Sequence, residues 1–139
     1  MIAQTLFTVG LVLMVWFGLG HFLGFVQAAR AARHDPDMAE LTKAMRAQKT
    51  RVMGFEASIL DFREYFSLNF SVLLWVAAAV GWVAIGLAAD PAAAVGDLAG
   101  IYGVGMLLLL ATSARFRVAQ GIVACGLLAV LFGTVWWLA

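Results

Sequence analysis

The sequence predicts an all-α integral membrane protein, a single domain in which four transmembrane helices form a bundle and a cytoplasmic amphipathic helix lies between the first two. Of its 139 residues, 64% are hydrophobic and 12% are charged, and the mean hydropathy is +0.96, far outside the range of soluble domains. The apolar residues form four runs near the length of roughly 20 residues that a helix needs to cross the hydrocarbon. All nine Lys and Arg residues lie in two of the three connections between these runs.

The first transmembrane helix is predicted over about residues 2–29. Gly20 and Gly24 form a small-xxx-small pair within it, which would let another helix approach closely. No Lys or Arg precedes this run, and the run is longer than the apolar core of a signal peptide. We therefore expect it to remain as a membrane span.

A short amphipathic helix is predicted over about residues 36–53, ending near Gly54. Asp35 is a suitable N-cap, and Pro36 suits the first helical position. The apolar residues that share one side of this helix are Met38, Leu41, Met45 and Val52. Its cationic side would face the anionic headgroups of the membrane surface; alternatively, the helix is solvated and packs on the end of the bundle.

The other three spans are predicted over about residues 61–89, 97–113 and 118–138. Asp90 and Pro91 repeat the helix-start pattern before the third span. That helix begins either at Pro91, with Asp97 in its early turns, or after Asp97 acting as its cap. The sequence leaves both alternatives open.

Charge predicts the orientation in a bacterial inner (plasma) membrane. The two connections that hold every Lys and Arg are expected in the cytoplasm, and the connection with Asp90 and Asp97 outside, so both termini would face outward. Aromatic residues cluster toward the predicted outer ends, as an aromatic belt does. They are Trp82, Tyr102, Trp136 and Trp137.

Polar side chains within the spans are the candidate ligand-binding residues, because such groups are costly in the bilayer. His21 lies about two turns inside the cytoplasmic end of the first helix, and Asn69 lies at a similar depth in the second. At 100° per residue, one helical face carries Ser58, Asp61, Tyr65 and Asn69. The candidates His21, Asp61, Tyr65 and Asn69 would line an inward-opening cavity together with Thr112, Ser113 and Gln120. Alternatively, His21 donates one hydrogen bond to a neighbouring helix and Asp61 belongs to a solvated helix start.

Several kinds of site are not indicated. The two histidines, His21 and His34, are predicted far apart in depth, and the acids do not form a Glu-x-x-His pair, so no metal ligand is expected. No sequence motif identifies a cofactor or a catalytic residue. The basic loop is balanced by acidic residues, so its expected partner is anionic lipid and not nucleic acid. Cys125 lies in an apolar run and is expected to be a packed thiol.

Two stretches resemble small four-helix bacterial membrane proteins of uncharacterised function. They are GLGHFLGF, which contains His21, and SILDFREYFSLNFS, which leads into the second span. The hydropathy outline of most of the chain is also similar to the DoxX-like group. The resemblance implies a four-helix bundle and supplies no catalytic residue.

Three functions are compatible with this pattern. The first is binding, transport or processing of a small lipophilic molecule in the inward-facing polar pocket. The second is a non-catalytic accessory or assembly subunit, within a homo-oligomer or a larger membrane complex. The third is an enzyme acting on a lipid-like substrate, with His21 as acid or base and Asp61 or Tyr65 assisting. The sequence alone does not decide whether the protein is an enzyme.

Overall fold

The computed structural model describes residues 1–52 and 54–139. In chain order these residues form α1 (Ile2–His34), α2 (Pro36–Ala47), β1 (Lys49–Val52), β2 (Phe55–Ser58), α3 (Ile59–Leu87), α4 (Pro91–Arg115) and α5 (Ala119–Leu138). Helices α1, α3, α4 and α5 are long and apolar enough to cross a membrane. The prediction of four long apolar helices is thus confirmed, and the described residues contain four candidate spans, as in a multi-pass membrane protein.

Helices α2 and α4 both begin at the proline of an Asp-Pro pair. The Asp35 carboxylate accepts hydrogen bonds from the Asp37 and Met38 backbone amides, at 3.0 and 3.5 Å. The Asp90 carboxylate does the same at α4, where the amides of residues 92 and 93 donate at 3.0 and 3.2 Å. Of the two alternatives for the third span, the structure therefore has the start at Pro91, with Asp97 inside the helix.

The helix that the sequence predicts over about residues 36–53 is shorter in the structure. Helix α2 ends at Ala47, and residues 49–52 pair antiparallel with residues 55–58 as a hairpin. The predicted helix end at Met53 lies outside the described residues. Gly54 has φ +87°, a left-handed conformation that suits a turn and that would interrupt an α-helix. The β-branched Thr50 and Val52 favour a strand over a helix in this stretch.

The chain divides into two compact units, and the first contains Met1–Phe17 and Trp75–Ala139. At its centre the rings of Phe7, Tyr102 and Phe132 contact one another, with centroids 5.4 to 5.8 Å apart. Phe7 and Phe132 are fully buried. Other buried side chains of this unit include Leu11, Met14, Ala78, Val95, Ala99, Met106, Cys125, Leu128, Ala129 and Val135.

Two hydrogen bonds tie helices together within this first unit. The Trp75 indole Nε1 donates to the Val15 carbonyl of α1 at 3.1 Å. The Tyr102 hydroxyl of α4 donates to the Ala77 carbonyl of α3 at 2.6 Å. Gly10 permits close packing here, because a Cβ on it would lie 2.7 Å from Phe132 Cε1.

The second unit is Gly18–Leu74, which holds the end of α1, α2, the hairpin and the start of α3. Its buried side chains include Ser58, Leu60, Ser71 and Leu74. Ser71 satisfies its hydroxyl within α3 by donating to the Ser67 carbonyl at 3.0 Å. The residues predicted to carry a site on α1 and α3 all belong to this unit.

Candidate functional site

His21 packs against α3 through one aromatic ring. Its imidazole meets the ring of Phe70 in an edge-to-face arrangement, with centroids 4.7 Å apart and an interplanar angle of 63°. The residue is nevertheless exposed. A Cβ built on either Gly20 or Gly24 would meet nothing within 4 Å. His21 therefore touches α3 on one side, while the helix surface around it stays open.

Asp61, Tyr65 and Asn69 follow one another along an exposed face of α3. The Tyr65 side chain is 61% exposed. Asn69 Nδ2 donates to the Tyr65 carbonyl at 2.9 Å, a bond within its own helix. In the described residues of the second unit, no hydrogen bond joins His21 to Asp61, Tyr65 or Asn69. The structure thus places the His21 ring against Phe70, the residue that follows Asn69 in the sequence.

Phe70 is the residue that sequence reasoning missed. An apolar series at i, i+4 spacing, Phe62, Phe66 and Phe70, lies beside the polar face of α3. Phe62 and Phe66 stack with centroids 6.5 Å apart. This series was the available signal that an aromatic face of α3 lies close to the polar one.

Asp61 takes part in the start of α3. The Ser58 backbone amide donates to Asp61 Oδ2 at 2.9 Å, and the Asp61 amide donates to Ser58 Oγ at 3.1 Å. These reciprocal bonds are a capping box, which satisfies two donors that a helix start otherwise leaves open. Ser58 itself belongs to β2, so the expectation that it extends the helical face of Asp61 was wrong. One carboxylate oxygen of Asp61 thus has a structural role.

The polar residues predicted from the third and fourth spans lie in the first unit. Thr112 Oγ1 donates to the Leu108 carbonyl of α4 at 2.9 Å. Ser113 is half-buried beside Gly121, and Gln120 is exposed at the start of α5. A single cavity lined by polar groups of all four spans stays a prediction.

The polar connection carries an open groove and an ion pair. One face of α2 lines a groove of about 410 Å³ with Ala39, Thr42, Lys43, Arg46 and Ala47. On the hairpin, Lys49 Nζ lies 3.2 Å from Glu56 Oε1. Within the described part of the chain, no group of three or more His, Cys, Asp or Glu residues is placed to hold a metal ion.

No family model matches the chain, and neither a curated protein nor a solved structure matches it. The resemblance to DoxX-like proteins therefore stays a prediction. The candidate site is defined by the geometry of His21, its glycine neighbours and Phe70.

Proposed function

We propose that this multi-pass membrane protein binds a small lipophilic molecule, whose polar group hydrogen-bonds to His21 while its apolar body lies against Phe70 and the glycine surface of α1. The observation that carries the proposal is an exposed imidazole within a candidate span, beside two open glycines. Ionisable side chains in such segments are costly and usually have a partner.

The depth of His21 in the membrane supports the need for a hydrogen-bond partner to its imidazole. The first cation after His21 is Arg30, nine positions further along α1, which corresponds to about 13 Å of helix. With Arg30 at the headgroups, His21 lies in the hydrocarbon, where water is not present to hydrogen-bond its ring nitrogens. The aromatic contact with Phe70 contributes packing, whereas a hydrogen bond needs an oxygen or nitrogen. A ligand hydroxyl or carbonyl would supply it.

The shape of the surface favours an apolar ligand body. Gly20 and Gly24 lie one turn apart on either side of His21 in sequence and present no side chain, so a flat or extended molecule can contact the helix backbone. Phe70 supplies an aromatic wall. Mainly apolar surroundings with a few polar groups are typical of small-molecule sites. Asn69 and Tyr65, both exposed on α3, are the further polar groups that could contact the ligand.

The proposed orientation follows the positive-inside rule. All nine Lys and Arg residues lie in or beside two connections. Seven of them, from Arg30 to Arg63, lie around the connection of α1 with α3, and Arg115 and Arg117 lie around the connection of α4 with α5, so both connections would lie in the cytoplasm. In a bacterial inner membrane, His21 would then belong to the inner leaflet. The same basic connection would meet anionic headgroups.

Mass spectrometry of the purified protein tests this function. A lipophilic molecule should co-purify with the wild type and be lost from His21→Ala, and adding it back should stabilise only the wild type against heat. Gln27→Ala is the matched control, because Gln27 is an exposed polar residue of the same helix. If the wild type carries no such molecule, or if His21→Ala retains as much as the control, the proposed function is wrong.

A second candidate is a non-catalytic assembly subunit. It is favoured by open glycines on other spans, since a Cβ on Gly86, Gly105 or Gly133 would meet nothing within 4 Å. In that case His21 would hydrogen-bond to a helix of a second copy or of another subunit. Native mass spectrometry separates the two functions, because His21→Ala would then lower the mass of the assembly instead of removing a small molecule. Catalysis on the bound lipid, with His21 as acid or base, stays a prediction.

A further inference from the structure

We infer that the β1–β2 hairpin is a membrane-interface anchor, whose face bearing Phe55 inserts at the boundary between headgroups and acyl chains of the bilayer that α3 enters. The partner is thus a lipid surface. The hairpin anchor involves neither His21 nor its ligand, so it goes beyond the proposed function and can be tested independently of it.

The register of the hairpin gives it two unlike faces. Arg51 pairs with Glu56, and residues directly opposite each other in an antiparallel pair share a face. Lys49 belongs to the same face, as its ion pair with Glu56 at 3.2 Å shows. Alternation along the strands then places Thr50, Phe55 and Ala57 on the other face. One face is charged and the other is mainly apolar.

The hairpin is joined firmly to the first residue of α3. The Ile59 amide donates to the Gln48 carbonyl at 3.1 Å, which closes the base of the hairpin onto the helix start. The capping box between Ser58 and Asp61 fixes the same junction. Phe55 lies three strand residues before Ser58, a distance of about 10 Å, and Ser58 directly precedes the helix. A candidate membrane span begins at this junction, so the hairpin is held close to the lipid surface.

The apolar face of the hairpin is exposed at Phe55 and half-buried at Ala57, and the first turns of α3 also carry exposed apolar residues. Phe55 is 79% exposed. Ile59 and Phe66, in the first turns of α3, are 37% and 65% exposed. A two-stranded hairpin without further cover is only marginally stable in water. Lipid at the interface would cover the Phe55 face, while the charged face with Lys49, Arg51 and Glu56 remains among headgroups and water.

Spin labels on the two faces test the anchor in the full chain. In a Cys125→Ala background reconstituted into phosphatidylcholine nanodiscs, labels at Phe55→Cys and Ala57→Cys should collide readily with oxygen and be shielded from a water-soluble nickel chelate. A label at Glu56→Cys, on the charged face between them, should show several-fold higher accessibility to the chelate. The Ala57 variant keeps Phe55 in place, so the measurement does not depend on removing the anchoring ring.

Two results would overturn the anchor. Equal accessibility to the chelate at all three positions would show that the Phe55 face lies in water. Shielding of positions 55 and 57 from both oxygen and the chelate would mean that protein, rather than lipid, covers this face. Far-UV circular dichroism and gel filtration of each labelled variant confirm that it folds as the wild type does, and neither readout depends on whether a ligand binds at His21.

Discussion

Replacing Gly10 by alanine should destabilise the protein, although alanine is the better helix former. The new Cβ would lie 2.7 and 2.8 Å from Cε1 and Cζ of Phe132. The Phe132 ring is fully buried and is in contact with Phe7 and Tyr102, so it has little room to move. Overpacking of this kind costs about 1–3 kcal/mol, against a gain of about 1 kcal/mol in helix propensity. The expected loss in the free energy of unfolding is up to about 2 kcal/mol.

Gly105→Ala is the matched control, because the same substitution there meets nothing within 4 Å. It should be neutral or stabilising by up to about 1 kcal/mol. The free energies can be compared by titrating the protein with SDS in mixed micelles and following the helical signal by circular dichroism, after checking that unfolding is reversible. The two variants should therefore differ by about 1–3 kcal/mol.

A double-mutant cycle identifies the cause of the effect. Phe132→Leu removes the two ring atoms that the new methyl group would overlap, so Gly10→Ala should cost less, or even stabilise, in that background. If Gly10→Ala is as stable as Gly105→Ala, or if it costs the same with Leu at position 132, the tight contact between α1 and α5 is not as the structure describes it.

Three further predictions concern topology and local interactions. In protein with Cys125→Ala, a cysteine at Lys43 should be labelled from the cytoplasm and one at Ala94 from outside; labelling of Ala94→Cys from the cytoplasm would reverse the proposed orientation. Asp61→Ala should lower the free energy of unfolding by about 1 kcal/mol through loss of the capping box, and an unchanged SDS midpoint would contradict that role. Trp75→Phe removes an indole donor to an α1 carbonyl and should cost about 0.6 kcal/mol in the same titration, whereas a gain in stability would argue against the bond.

Local chemistry and composition were enough to predict the four long apolar helices and the start of α2, and to give the start of α4 as one of two alternatives. A run of apolar residues long enough to cross the hydrocarbon predicts a membrane helix whatever its neighbours are. Asp35 and Asp90 cap their helices through amides only two or three residues away, so the interaction is contained in a short stretch of sequence. The helix that begins at Pro36 was predicted for this reason.

The end of that helix was not predicted, because it depends on pairing across the turn. The side-chain pattern up to Val52 fits a helix as well as a strand, and Lys49–Val52 becomes a strand by pairing with Phe55–Ser58. The positive φ of Gly54 is compatible with a helix end and equally with a hairpin turn. The spacing of apolar residues describes a single segment of the chain. A β-strand also requires a second segment with which to pair, and that pairing is not visible in the first segment alone.

The surroundings of His21 were also decided by tertiary structure. The sequence placed His21 and the polar face of α3 at similar depth, yet the imidazole contacts Phe70, a neighbouring residue on a different side of that helix. Helices α1 and α3 are apolar around most of their circumference, so their sequences carry little information about which side faces the other. The rotation of each helix about its axis is set by the close packing of side chains far apart in the chain, and no local pattern contains it.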